Sequence, residues 1–460
     1  MPVLRQEILK TNLTVLDPSE YIAANKTVPT FVDRSDDVAW MLACSLILFT
    51  MQTGLALMES GMCSLKNEVH LLMKNTAACC FGGLTYWAIG WSLSNGQGEY
   101  STPYYGWGEA FYEPDWLDSA SSERALFFFY QEGLSALSTS IVSGAMAERV
   151  NFRSFLVFSI FNTLVYALPA YWMWAPKGFL KELGAKDDAG CAVVHLCGGF
   201  SSLVATLYLG PRTGLAFSNE TVVMGNPTFC CAGLFITWWG YLAMNSASTM
   251  GVEGTRWLQS AKATVLTMLS SFGGGSVALF MCYIFYGHVI PVGRIVNPIM
   301  GSLVAYTGIT FLCTSFEAIT IGSVAAALVF LAMLFLDDHH SIDDPCCTFI
   351  VHGLCGVWGM LAVGLFAAED TISEGFSFNK YNGVFHGGFY LIGVQASKES
   401  AIFLVAIAQE ATSEAPQAEI AAGRFDKDML RGGEQRLKQT WEVSTWDMPL
   451  RKFLTLSKVL

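Results

Sequence analysis

Two short strings set a histidine inside an apolar run: Val194-His195-Leu196-Cys197-Gly198-Gly199 and Val351-His352-Gly353-Leu354-Cys355-Gly356. An ionisable side chain in such a setting is a functional hypothesis by default, because burying it without a partner is costly. Two imidazoles at matched depth can hydrogen-bond each other through their ring nitrogens. They can still offer a donor or an acceptor to a small polar solute. Two other chemistries stay open at this point. Each histidine could simply bond a neighbouring carbonyl, or the two could ligate a metal. No Asp, Glu or Cys accompanies them at ligand spacing, so neither a metal nor another cofactor is expected. No nucleophile set accompanies them either, so the chain does not read as an enzyme.

Other polar or small residues stand out by contrast with their surroundings. Glu132 lies within an apolar stretch, and segment 96–124 carries Glu99, Glu109, Glu113, Asp115, Asp118 and Glu123 against Arg124. That acidic loop reads either as a solvated face or as a mouth that attracts cations. Glycines cluster at Gly82-Gly83, Gly198-Gly199 and Gly273-Gly274-Gly275, where they let helix backbones approach closely. The 13 cysteines form no CxxC pair, and most lie in apolar runs, where free cysteine behaves as a small hydrophobe.

The elements that must hold these residues follow from composition. Of 460 residues, 53% are hydrophobic and 14% are charged, against about 25% charged in a soluble domain. The mean hydropathy is +0.42. The net charge is −12, so there is no basic footprint for a nucleic acid partner. Disordered and small disulfide-stapled classes are excluded as well. An all-α polytopic membrane protein remains.

A span needs about 20 apolar residues. Ten stretches meet that requirement, near 38–59, 75–95, 125–147, 154–176, 188–209, 227–248, 260–286, 296–315, 317–336 and 347–367. An eleventh helix is expected over 383–408, interrupted by Ser397-Lys398-Glu399-Ser400. The membrane domain then covers 37–408, with an extracellular segment 1–36 and a cytoplasmic tail 409–460. The sequons at Asn12 and Asn25 agree with an external N-terminus. The two histidine strings each fall in the fifth span of a five-span half. An odd number per half means the halves insert with opposite topology, and a site is expected near the midplane between them.

Over most of its length, from about Val38 to Gln395, the chain resembles the ammonium transporter family (Amt/Mep/Rh), nearest its animal and plant branch. The likeness is carried by Met51-Gln-Thr-Gly-Leu55, Glu59-Ser-Gly61, Lys66-Asn67, Lys74-Asn75, Ile141-Val-Ser-Gly-Ala-Met-Ala-Glu-Arg149 and His352-Gly-Leu-Cys-Gly-Val-Trp-Gly359. The resemblance implies eleven helices in two inverted five-helix halves, one pore per subunit, and a homotrimer in the plasma membrane. It places the twin pore histidines at His195 and His352. It puts an acidic residue shaping an external cation site at Asp187, a cation-stacking tryptophan at Trp174, and a hydrogen-bonding serine at Ser248. An aromatic face attracts ammonium through its quadrupole, and a hydroxyl accepts one of its hydrogen bonds.

The departures are equally specific. The family's two gate phenylalanines are replaced by Leu134 and Met244, with Tyr130 as the outer aromatic one turn earlier. An aspartate shortly before the second histidine is expected to become Cys347, although Asp343 and Asp344 remain close by. The function implied is transport of ammonium or ammonia across the lipid bilayer, with methylammonium as an analogue. The alternative is an ammonium sensor with little or no transport.

Overall fold

In lipid a chain satisfies its backbone groups internally, and long apolar stretches do this as helices. The computed structural model describes residues 35–116, 119–212, 224–337, 342–369 and 381–397. Ten long helices occur among the described residues, each overlapping one predicted span. In the first half, α1 is Ser35–Met62. Helix α2 starts as Glu68–Ala77 and continues through π-helical turns Ala78–Gly82 and Tyr86–Gly90 to Trp91–Asn95. Then come α3, Ser119–Ala145, and α4, Phe152–Trp174. Helix α5 opens as a π-helix, Cys191–Leu196, and runs on as Cys197–Leu209.

The second half repeats the plan. Its helices are α6, Pro227–Ala247; α7, Arg256–Tyr286; α8, Gly293–Tyr306; and α9, Ser315–Asp337. Helix α10 again opens as a π-helix, Phe349–Leu354, before Cys355–Phe366. Among the described residues, six helices, beginning at Asp36, Phe152, Cys191, Arg256, Ser315 and Phe349, are long and apolar enough to cross a membrane. Residues 390–397 are helical where the eleventh span was expected. The rest of that span, Asn12 and Asn25, and the tail from 398 lie outside the described residues.

Small residues bring the two halves together. A Cβ added at Gly233 of α6 would lie 2.4 Å from the Met58 backbone nitrogen of α1, and one at Gly54 would lie 2.3 Å from Thr237 Oγ1. At the α5–α10 crossing, a Cβ at Gly199 would meet the Gly353 backbone nitrogen at 2.1 Å. The outer faces stay apolar, with Phe272, Leu279 and Phe280 of α7 and Leu331 and Phe335 of α9 exposed, as lipid requires.

One span is shorter than predicted. The reading of 296–315 as a single helix fails after Tyr306, where residues 307–313 form turns that are fully buried. Their carbonyls serve the neighbouring segment: Asp188 N donates to Gly308 O (3.2 Å) and Ala189 N to Thr307 O (2.9 Å). Irregular backbone at this depth is tolerated when it is enclosed by protein and its groups are bonded.

Candidate functional site

The π-helical openings of α5 and α10 present the histidines. In α5 both Val194 N and His195 N reach back to Gly190 O, a widened turn of the kind often found at functional sites. His195 and His352 are buried, with their rings stacked at 24° and their centroids 5.1 Å apart. Nδ1 faces Nδ1 at 3.2 Å. Tyr241 of α6, which sequence reasoning did not single out, places its hydroxyl 3.3 Å from His195 Nε2. A phenol in a fully buried setting is best satisfied by donating its hydrogen. That makes His195 Nε2 the acceptor, puts the His195 hydrogen on Nδ1, and directs it at His352 Nδ1.

Each π-helix is held by an aspartate eight positions before its histidine. Asp187 Oδ1 accepts from Gly190 N (3.0 Å) and Cys191 N (2.8 Å), and Oδ2 from Ala192 N (2.8 Å) and Val193 N (3.1 Å). A carboxylate at a helix N-terminus answers the orphan N–H groups found there. In α10 the same place is taken by Asp344, whose Oδ2 accepts from Phe349 N (2.7 Å) and Oδ1 from the Thr348 hydroxyl (2.8 Å). The expectation that Cys347 replaces this aspartate is thereby corrected. Cys347, with φ 54°, stands where Gly190, with φ 101°, stands in the other half; both are five residues before a histidine.

On the other side of Asp187 lies a second polar cluster. The Asp187 carbonyl accepts from Trp174 Nε1 at 2.8 Å, which fixes the indole. Ser248 donates its hydroxyl to Asn245 O (2.8 Å), and Thr310 donates to Asp188 Oδ2 (2.8 Å). The two hydroxyl oxygens lie 3.4 Å apart, within hydrogen-bonding reach of each other. Lys186 pairs with Asp188 at 2.9 Å. Thr310 escaped sequence reasoning; its partner Asp188 is the neighbour of Asp187.

Next come Leu134 of α3 and Met244 of α6, the latter between Tyr241 and the helix-capping Ser248. Leu134 and Met244 are buried, and the Tyr130 hydroxyl donates to the Met244 carbonyl at 2.8 Å, tying α3 to α6. Glu132 is turned away from this line. Its carboxylate lies over Gly83 of α2, where an added Cβ would be 3.0 Å from Oε1. It stands two residues from Tyr130, on the opposite side of α3.

A polar cluster around Ser248, Thr310 and Asp188, the buried Leu134 and Met244, and the paired histidines therefore lie together within one helical bundle. The Ammonium Transporter Family model matches residues 39–413. The chain belongs to that family. Among its relatives are two Caenorhabditis elegans proteins. "Putative ammonium transporter 3" is 35% identical, the match covering 83% of this chain and 56% of that protein. "Putative ammonium transporter 2" is 34% identical over 78% of this chain and 72% of that protein. The chain thus spans little more than half of the first. Among solved structures, Candida albicans Mep2 shares the fold with a TM-score of 0.74 at 23% identity, covering 86% of this chain and 87% of that one. A structure titled "Sensor Amt Protein" does so with a TM-score of 0.73 at 24% identity, covering 82% and 92%.

Proposed function

We propose that this ammonium transporter family member carries ammonium nitrogen across the plasma membrane as a homotrimer, with its N-terminus outside. Ammonium docks against the Trp174 ring, beneath Tyr130, and donates to the Ser248 oxygen; Asp187 positions the site through its backbone and the π-helix it caps. A bare cation in a low-dielectric passage is costly, so the ion gives up a proton before passing Leu134 and Met244. Ammonia then crosses the lumen as a hydrogen-bonding partner of His195 and His352 and is reprotonated in the cytosol. Methylammonium fits the same chemistry as an analogue.

The observation that carries this reading is the 3.2 Å contact between the two histidine Nδ1 atoms, inside paired π-helices contributed by opposite halves. A cell lacking its own ammonium transporters tests it. Expression of this chain restores growth on low ammonium, and His195→Ala removes the rescue while the protein still reaches the surface. Failure of the unaltered chain to rescue, despite surface expression, overturns the transport reading in favour of a sensor.

A further inference from the structure

A buried carboxylate sits at the other end of α1 and α3, outside every contact described so far. Glu59, near the C-terminal end of α1, is 1% exposed. Its Oε2 accepts hydrogen bonds from the Ser143 hydroxyl of α3 and from Asn75 Nδ2 of α2 (3.1 Å). Its Oε1 has no hydrogen-bond partner among the described residues, and neither has Asn75 Oδ1, although Asn75 is also buried. Glu59 Oε1 faces a notch left by Gly144. A Cβ added there would lie 3.0 Å from that oxygen and 3.0 Å from Cys346 Cβ. Cys346 belongs to the approach to α10, six residues before His352, and its thiol donates to the Glu59 carbonyl at 3.8 Å.

One face of α3 leads from the gate to this notch. Tyr130, Leu134, Ser138, Ile141 and Gly144 follow at spacings of four, four, three and three, which keeps them on one side of a helix. Tyr130 bonds Met244 at the outer end. Ser138 and Ile141 pack on Gly198, just past His195. Gly144 lies about 21 Å beyond Tyr130 at the rise of an α-helix. Glu59 therefore stands past the histidines along the same line.

A structural tie between α1, α2 and α3 does not need a charge. A glutamine could accept the same two hydrogen bonds through its amide oxygen, without the cost of a carboxylate at membrane depth. Two buried acceptor oxygens, on residues that bond each other directly, match a ligand that carries only donors. We propose that Glu59 and Asn75 form a second cation site, on the cytoplasmic side of the histidines, for ammonium and methylammonium. The proposal deepens the transport reading and rests on it. The charges acting on Glu59 are Asp344 on the approach to α10 and Lys74 on α2, with the Cys63 and Cys346 thiols beside it.

Infrared difference spectroscopy on the full chain in lipid nanodiscs tests the site without requiring transport. Adding ammonium chloride, against sodium chloride at equal ionic strength, shifts a carboxylate band that is absent in Glu59→Gln and retained in Ser248→Ala. Gly144→Ala keeps the charge but fills the notch. It raises the ammonium concentration for half of the shift about tenfold, the scale of one charge-assisted hydrogen bond. No band in the unaltered chain, a band unchanged in Glu59→Gln, or an equal response to sodium overturns the site. If Glu59→Gln does not assemble, Gly144→Ala decides by itself: an unmoved midpoint overturns the site. Absence of transport in cells with the Glu59 band present defeats the transport reading alone.

Discussion

His195 Nδ1 and His352 Nδ1 face each other at 3.2 Å, so a single hydrogen lies between two nitrogens from opposite halves of the protein. Tyr241 sets which nitrogen owns it, by donating to His195 Nε2. Tyr241→Phe removes that donor and leaves the tautomer of His195 unbiased. Ammonium uptake falls about two- to tenfold, the range of one neutral hydrogen bond. Nitrogen NMR of labelled histidine shows mixed tautomers in the variant. An unchanged histidine spectrum would sink the assignment.

The caps of the two π-helices differ in how much they hold. Asp187 answers four backbone N–H groups, whereas Asp344 answers those of Thr348 and Phe349 and the Thr348 hydroxyl. Asp187→Asn turns an amide NH2 against backbone donors and loses charge-assisted bonds, costing about 3 kcal/mol or more. Asp344→Asn costs less. Thermal unfolding in detergent, followed by tryptophan fluorescence, shows the larger drop in Tm for the Asp187 variant. Equal drops count against the asymmetry.

Much of this arrangement was legible in the chain, and the misses have physical causes. The helices follow from apolar runs, because lipid leaves an isolated segment no other way to bond its backbone. The histidines stand out as ionisable groups in those runs. Trp174, Ser248 and the gate positions came through resemblance, not through periodicity. The turns at 307–313 look apolar, with Ile309, Phe311 and Leu312, and hydropathy cannot separate buried irregular backbone from helix. Asp344 was within reach: its offset of eight from His352 equals that of Asp187 from His195. Tyr241, Thr310 and Glu59 gain their roles only from neighbours distant in sequence.

At the α5–α10 crossing, Gly199 touches backbone rather than a flexible side chain. A Cβ there would sit 2.1 Å from Gly353 N and 2.5 Å from Gly353 Cα. Gly199→Ala must push α5 away from the π-helical opening of α10 and disturb the histidine contact, at a cost of about 1–3 kcal/mol or more. Gly275→Ala is the control, since its nearest neighbour would be at an ordinary 3.5 Å. The prediction is a lowered Tm and lost uptake for the first and near-normal values for the second. Similar behaviour of the two variants would show that the crossing has slack.

Beyond the ends of α3 and α5, Arg212 clamps two carboxylates. It bonds Asp343 through Nε (2.8 Å) and Nη2 (2.8 Å), and Glu148 through Nη1 (3.1 Å). Glu148 also accepts from Ser64 N (2.6 Å), so the cluster joins the segments following α1, α3 and α5 to the approach to α10. Burial alone would raise both carboxyl groups. For Asp343 the bonds and charge of Arg212 outweigh it, and for Glu148 the Ser64 and Arg212 contacts do, so both lie below their ordinary values. A depressed carboxyl contributes stability that is fully present above its unfolded pKa, about 4, and is lost as pH falls through the folded value. Tm of the unaltered protein therefore drops as the medium is acidified below about pH 4. Arg212→Gln removes the main opposing charge and leaves burial in place. Its Tm is lower at neutral pH, and its decline on acidification is flattened, because Asp343 loses its main depressing partner while Ser64 still holds Glu148 down. Parallel Tm curves for the two proteins across that range would mean that Arg212 does not set these pKa values.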